Sequence, residues 1–164
     1  MYRISVFLML MFFAIASCGQ SDDIVVKNIV EFYEYTDDNQ ETQDAVNFIL
    51  EVTNHSDYPI PDLGATSRSE YVNLYINGKP DNPLNLYNGL ELANSEKTIP
   101  VDSTQRFDSG GWILTANSGI YSKYGNEFTV QWEYNGIKSD IVKVNIQDKT
   151  IKRLNKNQNI PDQQ

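Results

Sequence analysis

The sequence predicts an all-β domain: an antiparallel two-sheet sandwich of seven or eight short strands. Three observations predict it. Between Ile24 and Gln147 the chain is a succession of runs that alternate apolar and polar residues, the period-two pattern of a strand with one face in a core and the other in water. Turn formers separate these runs, and no long stretch repeats its apolar residues at helical spacing. The 164 residues, 40% hydrophobic and 12% aromatic, suffice for one ordinary domain with a real core and exclude disorder by composition.

The elements follow in order. Ile24–Tyr35 (IVVKNIVEFYEY) is β-branched and aromatic, a strand composition. Ala45–Thr53 is the clearest strand, with Val46, Phe48, Leu50 and Val52 on one side and Asn47, Ile49, Glu51 and Thr53 on the other. In Tyr71–Ile76, Val72, Leu74 and Ile76 share a face, and the run ends at Asn77-Gly78, a hairpin-turn signal. Leu84–Tyr87 and Lys97–Val101 are short, and Pro100 marks the latter as an edge or a strand end, because proline has no N–H for a central ladder. Trp112–Thr115, after Gly110-Gly111, is a further strand candidate.

The last pair carries a register problem. Glu127–Tyr134 turns Phe128, Val130, Trp132 and Tyr134 one way and Glu127, Thr129, Gln131 and Glu133 the other; Asn135-Gly136 and then Ile137–Ile146 follow. A strict two-residue turn would pair Val130 with Ile141 and Phe128 with Lys143, turning Val142, Val144 and Ile146 away from the core. A three-residue loop, or a bulge near Lys138–Asp140, restores Val130 opposite Val142 and Phe128 opposite Val144. Such an irregularity is expected. Asp148–Gln164 is polar and mixed in charge and reads as a disordered tail.

Residues 1–17 (MYRISVFLMLMFFAIAS) carry one cation, Arg3, and then an uncharged apolar run from Ile4 to Ala16. The run falls short of the roughly 20 residues that span a bilayer, and it has the layout of a secretory signal. Its end, Ile15-Ala16-Ser17-Cys18, resembles the lipobox of bacterial lipoproteins. That resemblance implies cleavage before Cys18, diacylglycerol on its sulfur and acylation of its new amino group. It also accounts for the only Cys in the chain, which has no partner for an intrachain disulfide. Several acyl chains on one residue make a durable anchor, at roughly 0.8 kcal/mol for each buried CH₂. Ser21, Asp22 and Asp23, just beyond Cys18, resemble the export signals that take lipoproteins of the Bacteroidota to the cell surface, so residues 18–23 read as a lipidated, acidic tether.

Charge narrows the partners. The chain carries 13 Lys and Arg against 22 Asp and Glu, a formal charge of −9. Removal of residues 1–17 takes Arg3 away and leaves −10. Such a charge excludes a nucleic-acid binder, which needs a basic stripe, and anionic headgroups would repel the body.

Chemistry is sparse. The only His, His55, lies in the turn Asn54-His55-Ser56-Asp57, where adjacent residues do not converge as the members of a catalytic triad do. Glu51, Glu127, Glu133 and Asp140 occupy outward strand positions, where carboxylates ordinarily face water, and no enzyme is expected. Asp37, Asp38, Asn39, Glu41 and Asp44 make an oxygen-rich loop, a weak Ca²⁺ candidate. Its sixth and twelfth positions, Thr42 and Phe48, break the EF-hand pattern, and a solvated hairpin loop is the simpler reading. Apart from lipid on Cys18, no cofactor is expected. Tyr58, Tyr87, Tyr121 and Tyr124 are the candidates for partner binding, since tyrosines in loops anchor proteins and stack on sugars. Asp102-Ser103-Thr104 resembles the short O-glycosylation pattern of Bacteroidota exported proteins.

The strand and turn Val46–Ile60 (VNFILEVTNHSDYPI) resemble those of bacterial immunoglobulin-like or fibronectin III-like modules, a resemblance that extends over residues 24–147. The Cys pair bracketing a Trp, the mark of antibody domains, is absent from the sequence. Together these readings give the expectation of a lipid-anchored outer-membrane or cell-surface protein. It would display a non-catalytic Ig-like module for a protein or glycan partner. The alternatives are an inhibitor or immunity lipoprotein against a toxin or protease, and an accessory subunit of an outer-membrane uptake or motility complex.

Overall fold

The computed structural model describes residues 23–63, 71–81, 98–115 and 118–154. The signal segment, Cys18, Ser21, Asp22, the short run Leu84–Tyr87 with its Tyr87, and Lys97 lie outside the described residues. The chain runs through β1 (Ile24–Thr36), β2 (Thr42–Asn54), β3 (Ile60–Pro61), β4 (Val72–Ile76), β5 (Lys79–Pro80) and β6 (Thr98–Ile99). It continues through β7 (Ser103–Asp108), β8 (Trp112–Ile113), a short helix α1 (Gly119–Tyr124), β9 (Glu127–Tyr134), β10 (Ile137–Lys138), β11 (Ile141–Asn145) and β12 (Thr150–Leu154).

These strands form two main antiparallel sheets. One has the order β1-β2-β7, with β8 continuing along β2 beyond β7; the other has the order β12-β11-β9-β4-β5, with β10 also on β9. A minor pair, β3 with β6, ends at Pro100, as expected of a residue that cannot donate to a ladder. The apolar faces of both sheets feed one core: Val46, Phe48, Leu50 and Val52 from β2 lie in the same buried cluster as Leu74, Phe128, Val130, Trp132 and Val144. Edge-to-face aromatic pairs cross between the sheets, Phe48 on Phe128 and Phe107 on Trp132, each at 6.0 Å. Each fully buried side chain of this size contributes about 1.5–3 kcal/mol.

The expected irregularity is present as a bulge. Asn135 and Gly136, at φ 47° and 80°, make the tight turn that the strand twist favours and pair Ile137 with Tyr134. One extra residue then shifts the ladder, so that Val142 faces Val130 and Val144 faces Phe128. Ser139 fills the gap left in the ladder. Its N–H donates to Trp132 O and its Oγ accepts from Trp132 N–H, both at 2.9 Å. The bulge also explains a polar residue in an apolar row. Asn28 stands among the inward positions of β1, fully buried, and its Nδ2 donates across to Val130 O at 2.7 Å and Asp140 O at 3.4 Å.

One boundary is corrected. The tail read as disordered from Asp148 forms β12, whose residues Thr150–Leu154 pair with Asn145–Ile141 of β11. Asn145 Oδ1 accepts the N–H groups of Gln147 and Asp148, and Lys149 at φ 51° completes the reversal. Polar side chains did not prevent pairing because β12 is an edge strand and largely exposed. Among the described residues no helix is long and apolar enough to cross a membrane.

Candidate functional site

A concave surface lies on the outward face of the four-stranded sheet. Alternation along β2 assigns Asn47, Ile49 and Glu51 to that face, yet all are buried. What covers them follows from the register. Lys27, Glu51 and Arg106 share one row, and Glu51 lies under both cations, 2.9 Å from Lys27 Nζ and 2.7 Å from Arg106 Nε. Their hydrogen bonds, Lys27 first and Arg106 second, hold the Glu51 carboxyl below its ordinary pKa against the opposing effect of burial.

Two rows along, the edge of the sheet breaks between β7 and β8 at Ser109-Gly110-Gly111. Asp108 Oδ1 accepts Gly110 N–H at 2.8 Å, and Gly110 takes φ +82°, a conformation that glycine adopts at no steric cost. From β1, the far side of β2, Tyr33 brings its hydroxyl onto Gly111, where a Cβ would overlap it. Tyr33 thus spans the row in which it is paired with Ala45, a residue with no measurable exposure. Burial, then the charge of Asp108, then Tyr35, raise the pKa of the Tyr33 hydroxyl.

The result is an open cleft of about 690 Å³ lined by Glu31, Phe32, Tyr33, Asn47, Asp108, Gly110 and Gly111. Asn47 is only 7% exposed, and its Oδ1 is buried without a hydrogen-bond partner. Such an orphan costs about 1–3 kcal/mol, so it marks a position where a donor is wanted. Tyr33 and Tyr35 remain 40% and 42% exposed, which leaves aromatic surface beside two carboxylates.

Of the tyrosines singled out from the sequence, Tyr58, Tyr121 and Tyr124 lie away from this cleft. Tyr121 and Tyr124 are partly buried and pack against the core, Tyr124 lies edge-on to Trp112, and its hydroxyl donates to Asp81, which Lys123 also binds at 2.9 Å. They close one end of the sheets because α1 lays them there. Tyr58 does stand free, 64% exposed, on the turn organised by the buried Asn54. That side chain donates to the carbonyls of Tyr58 and Ile99 and accepts from Ser56 N–H and Oγ. The same turn holds Asp23, whose carbonyl accepts His55 N–H, while Ser56 Oγ bonds Asn54 rather than His55.

The oxygen-rich loop is organised from within. Asp37 Oδ1 accepts the N–H groups of Asn39 and Glu41 at 2.9 Å, Asp38 and Glu41 face solvent, and Asp44 pairs with Lys149 at 2.5 Å. Among the described residues no group of three or more His, Cys, Asp or Glu side chains is placed to hold a metal ion. Glu133 joins a network on the opposite sheet, accepting from Asn73 Nδ2 and Tyr75 Oη.

The cleft residues Glu31, Tyr33, Asn47, Asp108 and Gly111 escaped the sequence reading. One signal was available: Tyr33 and Tyr35 are two residues apart in a strand and so share a face, and Gly110-Gly111 marks a break opposite them. No protein-family model, curated protein or solved structure matches the chain.

Proposed function

We propose that this chain is a lipid-anchored outer-membrane or cell-surface protein displaying a non-catalytic Ig-like module, which engages a protein or glycan partner through the outer face of its four-stranded sheet. The observation that carries this reading is the open cleft with its buried, partnerless Asn47 oxygen. The strand order supports the Ig-like assignment: β2 pairs with both β1 and β7, while β4 pairs with β9 and β9 with β11 across the other sheet. This is the exchange of strands between sheets expected of an immunoglobulin-type sandwich. The anchor rests on the lipobox-like Ile15–Cys18 and the apolar run before it.

The test is capture from detergent-solubilised outer membrane with the full-length chain as bait. A partner retained by the wild type and lost with Tyr33→Ala supports the reading; no partner, or one held equally by Tyr33→Ala, overturns it. In cells, Cys18→Ala is expected to abolish lipid labelling and leave the protein soluble. The second reading, an inhibitor or immunity lipoprotein, is favoured by one observation: the cleft presents two carboxylates on a chain of strong negative charge, which suits a basic target.

A further inference from the structure

We propose that the cleft takes a guanidinium group, the arginine side chain of a basic segment of a partner protein. This deepens the binding-module reading and rests on it.

The polar groups of the cleft call for a donor-rich cation. Glu31 lies directly opposite Asn47 in the β1–β2 ladder, and Asp108 opposite Ile49 in the β2–β7 ladder, so two carboxylates flank the Asn47 side chain from different strands. No ion pair among the described residues involves Glu31 or Asp108. The cations on the same face, Lys27 and Arg106, are both held by Glu51, Lys27 two same-face positions from Glu31 and Arg106 one from Asp108. The buried, unmet atom is an acceptor as well, Asn47 Oδ1.

Carboxylates on two sides, a carbonyl oxygen between them and an aromatic ring along one wall match the guanidinium in particular. It is planar, carries five N–H donors in a fixed fork, accepts nothing, and stacks on aromatic faces. An ammonium is a point charge with three donors and fits this spread of acceptors less well. A neutral sugar carries no charge to offset the two carboxylates, Glu31 and Asp108, that line the cleft. The negative charge of the whole chain steers a basic segment toward the site.

The test uses the full-length chain in neutral detergent and fluorescein-labelled Gly-Gly-Arg-Gly-Gly, with its lysine and citrulline counterparts, read by fluorescence anisotropy at low salt. The arginine peptide is expected to bind, the lysine peptide more weakly, and the uncharged citrulline peptide not at all. Glu31→Gln and Asp108→Asn, which keep shape and remove charge, are each expected to weaken binding about tenfold. Asp57→Asn, on the exposed turn, makes the same change in net charge away from the cleft and is expected to leave binding unchanged. Circular dichroism confirms that each variant folds.

Equal weakening by Asp57→Asn would reduce the effect to diffuse charge and overturn the proposal. Binding of the citrulline peptide as tightly as the arginine one, or of N-acetylglucosamine tetramer in its place, would also overturn it. So would self-association abolished by Glu31→Gln, which would make a second copy the occupant. If no peptide binds while Tyr33→Ala still loses a captured partner, the guanidinium assignment falls and the binding-module reading stands.

Discussion

Replacing Ser139 by alanine tests whether the bulge is held by its side chain. The residue is 2% exposed, and its Oγ is the acceptor for Trp132 N–H at 2.9 Å as well as a donor to Asp140 O at 3.0 Å. Alanine leaves the Trp132 amide facing a methyl group, with water excluded. A buried donor stranded in this way costs about 1–3 kcal/mol, and the substitution opens little cavity to add to that. We expect a loss of about 2 kcal/mol. With a urea slope of about 2 kcal/mol/M, typical for a domain of this size, the midpoint falls by about 1 M at unchanged slope. Ser139→Thr keeps the hydroxyl and is expected to recover most of the loss. A shift below about 0.3 M for Ser139→Ala would mean that the ladder satisfies Trp132 by another route and that the side chain does not hold the bulge.

Other outcomes follow from the ionisable groups and the close packing. The Glu51 carboxyl titrates below its ordinary 4.5 in the folded chain, so its stabilisation is present above that value and is lost as pH falls through the folded one. Urea midpoints between pH 5 and pH 3 are therefore expected to drop less steeply in Glu51→Gln than in the wild type. Tyr134 behaves in the opposite sense: burial above all, then Tyr71 and Asp62, push its hydroxyl from 10.0 up to about 12. Stability is expected to fall as pH rises from 10 towards 12, and Tyr134→Phe, which also gives up the hydrogen bond to Pro61 O, is expected to flatten that slope. Gly111→Ala places a methyl where the Tyr33 hydroxyl lies. Because Tyr33 is 40% exposed, its ring is expected to swing off the new methyl at a cost of no more than about 1 kcal/mol, and the Tyr33 titration, followed by NMR, to return toward its ordinary range.

The strands with one wet face were legible in the sequence. Val72 to Ile76 and Phe128 to Tyr134 alternate cleanly, and the conflict between the Asn135-Gly136 turn and the valines of β11 was enough to locate a bulge. What alternation conceals is a strand buried on both sides. Asn47, Ile49 and Glu51 read as solvent-facing because they alternate with the core residues, yet Tyr33 and the cations of neighbouring strands cover that face. Contacts of that kind depend on which strands become neighbours, and β1, β2 and β7 meet only after a change of sheet. The cleft was hidden for the same reason, since its residues come from three separate parts of the chain. In β12, polar side chains concealed a strand stabilised by backbone pairing at an edge, where composition constrains little.

The length of β1 has a mechanical consequence. Its first residue, Ile24, follows the Asp23 that is fastened to the His55 amide, and Glu31 stands about 24 Å further along at 3.4 Å per residue. Under the proposed anchoring at Cys18, the foot of β1 is where the anchor's pull would enter the fold, about 24 Å along the strand from Glu31. That pull would then be shared along the whole β1–β2 ladder, from Ile24 opposite Asn54 to Thr36 opposite Thr42.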